Sequence, residues 1–525
     1  MLTAGPSVLR ASPAADNTAG QGRLGELVIL MQRRSAATNY AINIAGLILP
    51  LFVMAVTVPV FVRTVGDVRY GALSIIWLLL GYFGFLDLGL TRASENALAK
   101  AAASGLAGER GSILVTAFVL NTGLGLLGAV ILFAAGEYLF ENIVSVSNSM
   151  RHEIRSAMPW VAALFPLALV SGVLGGALDS QERFLASNTL SGTGVAIGQV
   201  VPVICAIFIS PSLAVVVPAA VLVRAMSIMV SLVFVYCHER PLHLLNFHYP
   251  TARRLLGYGG WVTVSGIVSP ILASLDQFVI GSQVGIAAVT YYAVPMNLVP
   301  RGQIFAAAMS RTLFPSLSRL DIADARRLGE RATNVLALSF AVLCAPAIIV
   351  VRSVLSVWMG PDFALKAAPV AEILLFGAWI NGVAFIPYGF LQAQGRPDLP
   401  AKFHTTEVLP FIGVLWLATS HYGLVGAAAA WTLRVAVDAA LMIAAARFSI
   451  ATALRLLLPA CCVLGCYTLA TCISLNFVTA WLFAICIGCG MGSMSLAVDA
   501  PMRDIVRQML KRLRTGTNAQ NSIGS

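Results

Sequence analysis

The chain has 525 residues, of which 58% are hydrophobic and only 11% are charged. An average soluble domain carries roughly 25% charged residues, so this composition excludes a water-soluble protein of this size and points to lipid as the main solvent. The net charge of +11 would suggest a nucleic-acid partner in a soluble protein, but these positive residues lie in tails and short loops between apolar stretches, as membrane topology requires.

Fourteen apolar stretches come close to the roughly 20 residues that a helix needs to cross a bilayer, which predicts an all-α membrane protein. The predicted spans cover residues 38–62, 70–91, 112–135, 157–178, 188–209, 212–236, 257–282, 287–311, 333–351, 369–393, 404–420, 423–446, 454–475 and 477–498. The distribution of Lys and Arg predicts their orientation. With the N-terminus in the cytosol, 25 of the 34 Lys and Arg residues fall in cytosolic segments, 6 in outer loops and 3 inside spans. Because positive loops stay in the cytosol, we expect both termini there.

A polar loop follows the sixth span and divides the chain into two matched parts. A Gly-x-x-x-Pro spacing ends at Pro50 in span one and again at Pro270 in span seven, and Val-Gly pairs follow at residues 65–66 and 284–285. Six spans per part make both copies start on the same side, which fits parallel repeats about an axis along the membrane normal. Pro50 and Pro270 are candidate hinges, because each proline removes a backbone hydrogen bond.

The predicted domains follow from this division. They are a mobile cytosolic tail (1–36), an N-lobe of six spans (37–236), a cytosolic linker (237–256), a C-lobe of six spans (257–447), two further spans (448–499) and a basic cytosolic tail (500–525).

Two segments carry a resemblance to a known family. Residues 65–95 read VGDVRYGALSIIWLLLGYFGFLDLGLTRASE, with Gly66, Tyr70 and Gly71 before an apolar helix that ends near Asp87. Residues 274–320 contain Asp276, Gly281, Tyr291, Pro295 and the run Phe-Pro-Ser-Leu-Ser at 314–318. In order and spacing these segments resemble the second, seventh and eighth helices of polysaccharide transporters, the O-antigen and exopolysaccharide flippases. The resemblance covers most of residues 38–447.

The resemblance implies two six-helix lobes around a central V-shaped cavity, followed here by two C-terminal helices. It also implies a flippase that moves a polyprenyl-pyrophosphate-linked oligosaccharide from the cytosolic to the outer leaflet of a bacterial cytoplasmic (inner) membrane by alternating access. Its partners would be the lipid-linked oligosaccharide, membrane lipid and a polysaccharide polymerase or export machinery. The family shares the MOP superfamily with multidrug and toxin extrusion (MATE) antiporters and lipid II flippases, and fourteen spans fit the polysaccharide and lipid II branches better than the MATE branch.

Three arginines fall inside predicted spans, where ionisable residues are costly and therefore point to function. Arg224 and Arg434 lie near the middle of spans six and twelve, and Arg301 lies slightly toward the cytosol in span eight. A guanidinium group matches a pyrophosphate in a bidentate way, which predicts a cationic substrate-binding cavity. The alternative is local pairing, because Arg434 and Asp438 are spaced i,i+4 and Arg224 could bond carbonyl groups.

The acidic residues of the spans have narrower predicted roles. Asp276 and Asp438 are candidates for coupling to a proton or sodium ion, although each could instead be a structural partner of an arginine. Asp87 and Arg92 form a candidate cytosolic gate or a helix-end ion pair. Glu372 and Glu407 lie close to predicted span ends, where we expect water.

No motif in the chain predicts an enzyme, a cofactor or a metal site. The GxGxxG pattern at residues 123–128 lies inside span three and lacks the strand that a dinucleotide site requires. Without a nucleotide-binding motif, energy would come from an ion gradient, the membrane potential or substrate flux. The rival functions are an ion-coupled multidrug or organic-cation antiporter, whose cavity should carry carboxylates, a lipid II flippase, and a membrane glycan polymerase, which should show a large extramembrane loop.

Overall fold

The computed structural model describes residues 52–82, 87, 90–103, 107–144, 146–181, 183–238, 247–253, 275–473 and 476–498. Within these residues every regular element is a helix. The helices are α1 (Phe52–Val65), α2 (Asp67–Tyr82), α3 (Leu90–Ala103), α4 (Ala107–Asn142), α5 (Asn148–Asp179), α6 (Phe184–Phe208), α7 (Leu213–His238), α8 (275–283), α9 (Ile286–Gly302), α10 (Ile304–Arg319), α11 (Ile322–Met359), α12 (Pro361–Ala393), α13 (Asp398–Ala445), α14 (Ile450–Cys472) and α15 (Phe477–Val498).

Eight of the described helices are long and apolar enough to cross a membrane on their own. One of them, α13, is a hairpin of two predicted spans rather than one long span. Its chain reverses at Gly423, which has φ 58° and ψ −134°, a conformation that glycine adopts without strain. His404 in the first half lies against Asp438 in the second, so the two halves run antiparallel. This reversal falls at the first residue of predicted span twelve (423–446), three residues after predicted span eleven (404–420) ends.

Local sequence sets where the long helices begin. The hydroxyl group of Ser147 accepts a hydrogen bond from the backbone N–H of Met150 at the start of α5, and the carboxylate of Asp321 does the same for Asp324 at the start of α11. Both residues have extended backbones, as N-caps do. Helix α11 therefore begins about three turns before predicted span nine, and these turns extend the helix on the side that the sequence predicts to be cytosolic.

The helices pack into two bundles. In the first, α5 packs against α4 and α7, and α7 packs against α6. In the second, α12 packs against α11, α13, α10 and α9, while α14 and α15 pack on α11. The predicted arrangement of two lobes with two additional C-terminal helices is thus confirmed as a fold, while the exact domain boundaries stay predictions.

Helices α2 and α9 join the two bundles. They are spans two and eight of the predicted repeats, and each follows a glycine with a positive φ, Gly66 at 83° and Gly285 at 114°. The two Val-Gly pairs noted in the sequence therefore form equivalent turns. The helices approach closely at Gly71, where a Cβ atom would lie 1.9 Å from the carbonyl oxygen of Ile286.

Candidate functional site

A polar contact ties the two bundles together at the predicted outer ends of α2 and α9. The phenol group of Tyr291 donates a hydrogen bond to the carboxylate of Asp67, and the hydroxyl group of Thr290 donates to the Asp67 carbonyl oxygen at 2.6 Å. Lys366, in the first turns of α12, donates to the Tyr291 oxygen at 3.0 Å. We call these four residues the outer latch. It fixes α2 against α9 and α12, so the bundles are closed at this end.

A cavity of about 380 Å³ lies below the latch, between α1, α2, α6 and α7 on one side and α8 and α9 on the other. This volume falls within the range of small-molecule sites. Its aromatic walls are Phe61, Tyr70 and Trp77, and its polar groups come from Thr57, Ser74, Gln199, Gln277 and Asn297. None of the described residues that line the cavity is charged.

Three of the residues that line the cavity carry amide side chains. The side chains of Gln199, Gln277 and Asn297 make no hydrogen bond with any described residue, and the Oε1 atom of Gln199 is inaccessible to solvent. The hydroxyl groups of Thr57 and Ser74, in contrast, already donate to backbone carbonyl oxygens of their own helices. Polar groups inside proteins are nearly always paired, so these three amides are available to water or a ligand.

Arg301 lies at the rim of this cavity. Its Nε atom donates to the carbonyl oxygen of Asn297 at 3.0 Å, and its Nη2 atom lies 3.7 Å from the sulfur of Met54. Both Asn297 and Met54 line the cavity, and Arg301 itself is exposed. It sits about 6 Å along α9 from Asn297, on the cytosolic side of the cavity in the predicted orientation. The structure therefore places an exposed guanidinium group next to an uncharged polar chamber.

The other two predicted arginines are in different surroundings. Arg224 is half-buried, and its Nη2 atom donates to the hydroxyl group of Ser171 on α5 at 3.2 Å. Arg434 lies over the ring of Phe411 and lines a second cavity, of about 520 Å³, between the halves of α13. The three arginines do not line one chamber among the described residues, so the prediction of a shared cationic site is not supported there. Of the three, only Arg301 lies next to the 380 Å³ cavity.

A cluster of acidic residues lies inside the second bundle. Asp276 is fully buried and accepts hydrogen bonds from the Tyr292 hydroxyl group and the Gln277 backbone N–H. The Nε2 atom of His404 lies 3.4 Å from the Oδ1 atom of Asp438, and no ion pair joins Asp438 to Arg434 among the described residues. The carboxylate of Glu407 faces Asp438, and neither of its oxygens has a hydrogen-bond partner among the described residues. The charge of Arg434 acts on both Asp276 and Glu407.

The remaining predicted residues are less informative. The carboxylate of Asp87 accepts hydrogen bonds from the backbone N–H and hydroxyl group of Thr91 at 3.2 and 2.8 Å, so it caps the start of α3. The side chain of Arg92 lies outside the described part of the chain, and so do the predicted hinges Pro50 and Pro270. The gate and the hinges stay predictions.

Comparison with known proteins gives the family. The profile described as polysaccharide biosynthesis protein matches residues 36–321, more than half of the chain. This chain belongs to that family. It is also 28% identical over 412 residues to a Shigella flexneri protein named as a candidate O-antigen transporter, covering 78% of this chain and 97% of the relative. The resemblance in the sequence motifs is thus confirmed.

Solved structures of low sequence identity share the fold. A lipid II flippase, MurJ, in an inward closed conformation superposes with a TM-score of 0.63 at 13% identity, over 88% of this chain and all of that one. A MATE family multidrug resistance transporter of the MOP superfamily, in an inward-facing conformation, gives a TM-score of 0.61 at 14% identity, over 78% of this chain and 98% of that one. The protein is therefore a multi-pass membrane protein with the fold of the MOP superfamily.

Several residues of the site were missed in the sequence. The position of Glu407 along its predicted span suggests that it faces water, but the residue is only 8% exposed. The prediction is wrong because depth along a helix does not reveal which face a residue occupies. The amide side chains of the cavity were missed because only ionisable residues inside the spans were taken as candidates, and amides carry no charge. Asp67 lies between predicted spans one and two and received no role, although it directly follows a Val-Gly pair that recurs at residues 284–285.

Proposed function

We propose that this protein is a flippase that moves a polyprenyl-pyrophosphate-linked oligosaccharide, an O-antigen or exopolysaccharide repeat unit, from the cytosolic to the outer leaflet. Membership of the polysaccharide biosynthesis family supports the substrate class. The observation that carries the proposal is the position of Arg301, an exposed cation at membrane depth on the rim of an uncharged polar cavity. In this arrangement Arg301 binds the pyrophosphate, the sugar enters the cavity, and the prenyl tail stays in lipid.

The closed outer latch supports the start of the cycle. Because α2 and α9 are joined at their outer ends, the substrate enters from the cytosolic side, and the latch must separate before it leaves on the other side. Such rocking of two lobes is alternating access. This cycle takes the orientation expected from the distribution of Lys and Arg, that of a bacterial inner-membrane protein with both termini in the cytosol, and a polymerase or export machinery would receive the product.

The acidic cluster of the second bundle supports ion coupling. Glu407 and Asp438 are two facing carboxylates with one His and one Arg nearby, and like charges in a buried site favour the uptake of a proton or cation. Asp276 adds a third carboxylate on α8, which lies next to the cavity through Gln277. We assign coupling by H⁺ or Na⁺ to this cluster and substrate binding to Arg301.

The rival function of an organic-cation antiporter fits the cavity less well. A site for cations should present carboxylates, and the described lining of the 380 Å³ cavity has none. A membrane glycan polymerase would need a catalytic extramembrane region, for which the loops between the predicted spans, about 20 residues at the longest, leave little room.

The proposal is tested by the lipid that accumulates when transport stops. Loss of a charge-assisted hydrogen bond costs about 1.5–3 kcal/mol, so Arg301→Gln should reduce flux roughly tenfold to a hundredfold. In cells that depend on this chain, the variant should accumulate the lipid-linked oligosaccharide in the inner leaflet, as a deletion should. Arg319→Gln, an exposed arginine at the end of α10, is the matched control and should retain full transport. Full export by Arg301→Gln at normal protein level would contradict the proposal.

A further inference from the structure

A groove lies between the two halves of α13 at membrane depth. It is the second cavity described above, of about 520 Å³, and every described residue that lines it belongs to α13. We call it the hairpin groove. Its apolar lining includes Phe403, Phe411, Val414, Leu433 and Val437, and the last three of these side chains are exposed. Because both halves of α13 are predicted membrane spans, the surrounding solvent is hydrocarbon and the groove suits a hydrocarbon chain.

The hairpin groove has a counterpart in the first bundle. Residues 199–203 read QVVPV and residues 407–411 read EVLPF. The first, fourth and fifth residues of each run line a cavity, which is the 380 Å³ cavity in the first bundle and the hairpin groove in the second. Helices α1 and α2 also line the 380 Å³ cavity, whereas no described residue of another helix lines the hairpin groove. The groove is therefore a repeated feature of the fold, and the described part of the chain leaves it open.

The cytosolic end of the hairpin groove lies at the membrane level of Arg301. Arg434 lies over the ring of Phe411, and its charge acts on Tyr292 of α9, so these three residues lie close to one level. Arg301 is nine residues after Tyr292, and Lys402 is nine residues before Phe411. Arg301 and Lys402 each lie about 13.5 Å from that level, toward the predicted cytosolic side. A lipid whose head group is bound by Arg301 can therefore extend its tail along the groove.

The charges of the groove match a lipid with an anionic head group. Two cations, Lys402 and Arg434, line it with a single carboxylate, that of Glu407. Lys402 is exposed at the cytosolic end and donates to the carboxylate of Asp398 at 3.2 Å. The groove is also a single channel, which suits a lipid with one chain better than a phospholipid with two.

We propose that the hairpin groove binds the part of the prenyl tail nearest the pyrophosphate. The inference rests on the proposed function, because it takes Arg301 as the pyrophosphate-binding residue. The tail enters the groove beside Lys402 and follows it for about 18 Å toward the predicted outer side, as far as Val414. The rest of the tail extends into the bilayer. The second bundle thus holds the tail while Arg301 holds the head group.

Binding of two prenyl pyrophosphates tests this assignment. The full chain in nanodiscs is titrated with farnesyl pyrophosphate, which has three isoprene units, and with dimethylallyl pyrophosphate, which has one. Val437 lies about 9 Å along the groove from Lys402, where a single isoprene unit does not reach. Val437→Trp should fill the groove and weaken binding of farnesyl pyrophosphate about tenfold, which corresponds to about two buried methylene groups. Binding of dimethylallyl pyrophosphate should not change.

Matched variants accompany this measurement. Leu433→Trp, at a second exposed position of the groove, should act like Val437→Trp. Val425→Trp is the control, because Val425 is 40% exposed in the same half of α13 and does not line the groove. It should bind both pyrophosphates like the wild type. Arg301→Gln should weaken both pyrophosphates by the same factor.

Two results would overturn the inference in distinguishable ways. If Val437→Trp and Leu433→Trp bind farnesyl pyrophosphate like the wild type while Arg301→Gln weakens it, the groove does not hold the tail and the proposed function stands. Loss of co-purified phospholipid in the same two variants would then identify a phospholipid as the occupant. If Arg301→Gln binds both pyrophosphates like the wild type, the proposed function fails and the groove assignment fails with it.

Discussion

Opening of the outer latch should be controlled by the Tyr291 hydroxyl group. This one oxygen donates to the Asp67 carboxylate on α2 and accepts from Lys366 on α12, so it joins the two bundles through a single atom. Tyr291→Phe removes both hydrogen bonds but keeps the ring, which packs against Phe363 at a centroid distance of 5.2 Å. The change therefore weakens the latch without disturbing the apolar contact behind it.

The size of the effect follows from the bonds that are lost. A hydrogen bond to a charged group contributes about 1.5–3 kcal/mol, and we take about 1–2 kcal/mol because the latch is near water. A change of that size alters an equilibrium constant by a factor of roughly 5–30. The population that is open at the outer end should rise by this factor, and Asp67→Asn should act in the same direction.

The rate at which an outer reagent enters the cavity measures this population. Ser74 lines the cavity on α2, so Ser74→Cys provides a target for a membrane-impermeant maleimide added from outside. The nine natural cysteines are accounted for by labelling the parent without Ser74→Cys. Tyr138→Phe, at a tyrosine that is 63% exposed on α4, is the control and should label like the parent. Equal labelling of Tyr291→Phe and Tyr138→Phe would show that the phenol group does not hold the outer ends together.

Two further predictions concern charged groups. Arg69 on α2 donates two hydrogen bonds to Glu153 on α5, at 2.9 and 2.7 Å. A double-mutant cycle of Arg69→Gln and Glu153→Gln should therefore give a coupling energy of about 1 kcal/mol in thermal unfolding. A coupling energy near zero would contradict the geometry. Glu407→Gln should remove the dependence of transport on pH or sodium while substrate binding persists. Asp276→Asn should do the same if the cluster acts as one unit. Retention of ion dependence in both variants would exclude the cluster as the coupling site.

The spans were predictable because apolar length is a local property of the sequence. The chain reverses at Gly423, and hydropathy alone predicts a boundary between two spans within three residues of that point. The Val-Gly pairs, which the sequence offers only as a sign of a repeat, form equivalent turns in the structure, because a residue with positive φ is most easily a glycine.

The partners of the charged residues were not predictable in the same way. Arg434 and Asp438 have helical spacing for an ion pair, but the hairpin brings His404 to Asp438 instead. Arg110 was counted as a loop residue, yet it is buried and donates to the carbonyl oxygens of Leu98 and Ala177. These contacts join residues far apart in the chain, and helical periodicity carries no information about them.

The absence of a side chain at residue 71 lets α2 and α9 approach closely enough for the outer ends to close. A methyl group there would meet the Ile286 carbonyl oxygen at 1.9 Å, a backbone atom that cannot rotate away. Gly71→Ala would therefore act as a wedge between α2 and α9 that adds no charge and removes no hydrogen bond. Because the wedge acts against the outer-closed arrangement, this one position offers a means of trapping the opposite conformation for structure determination.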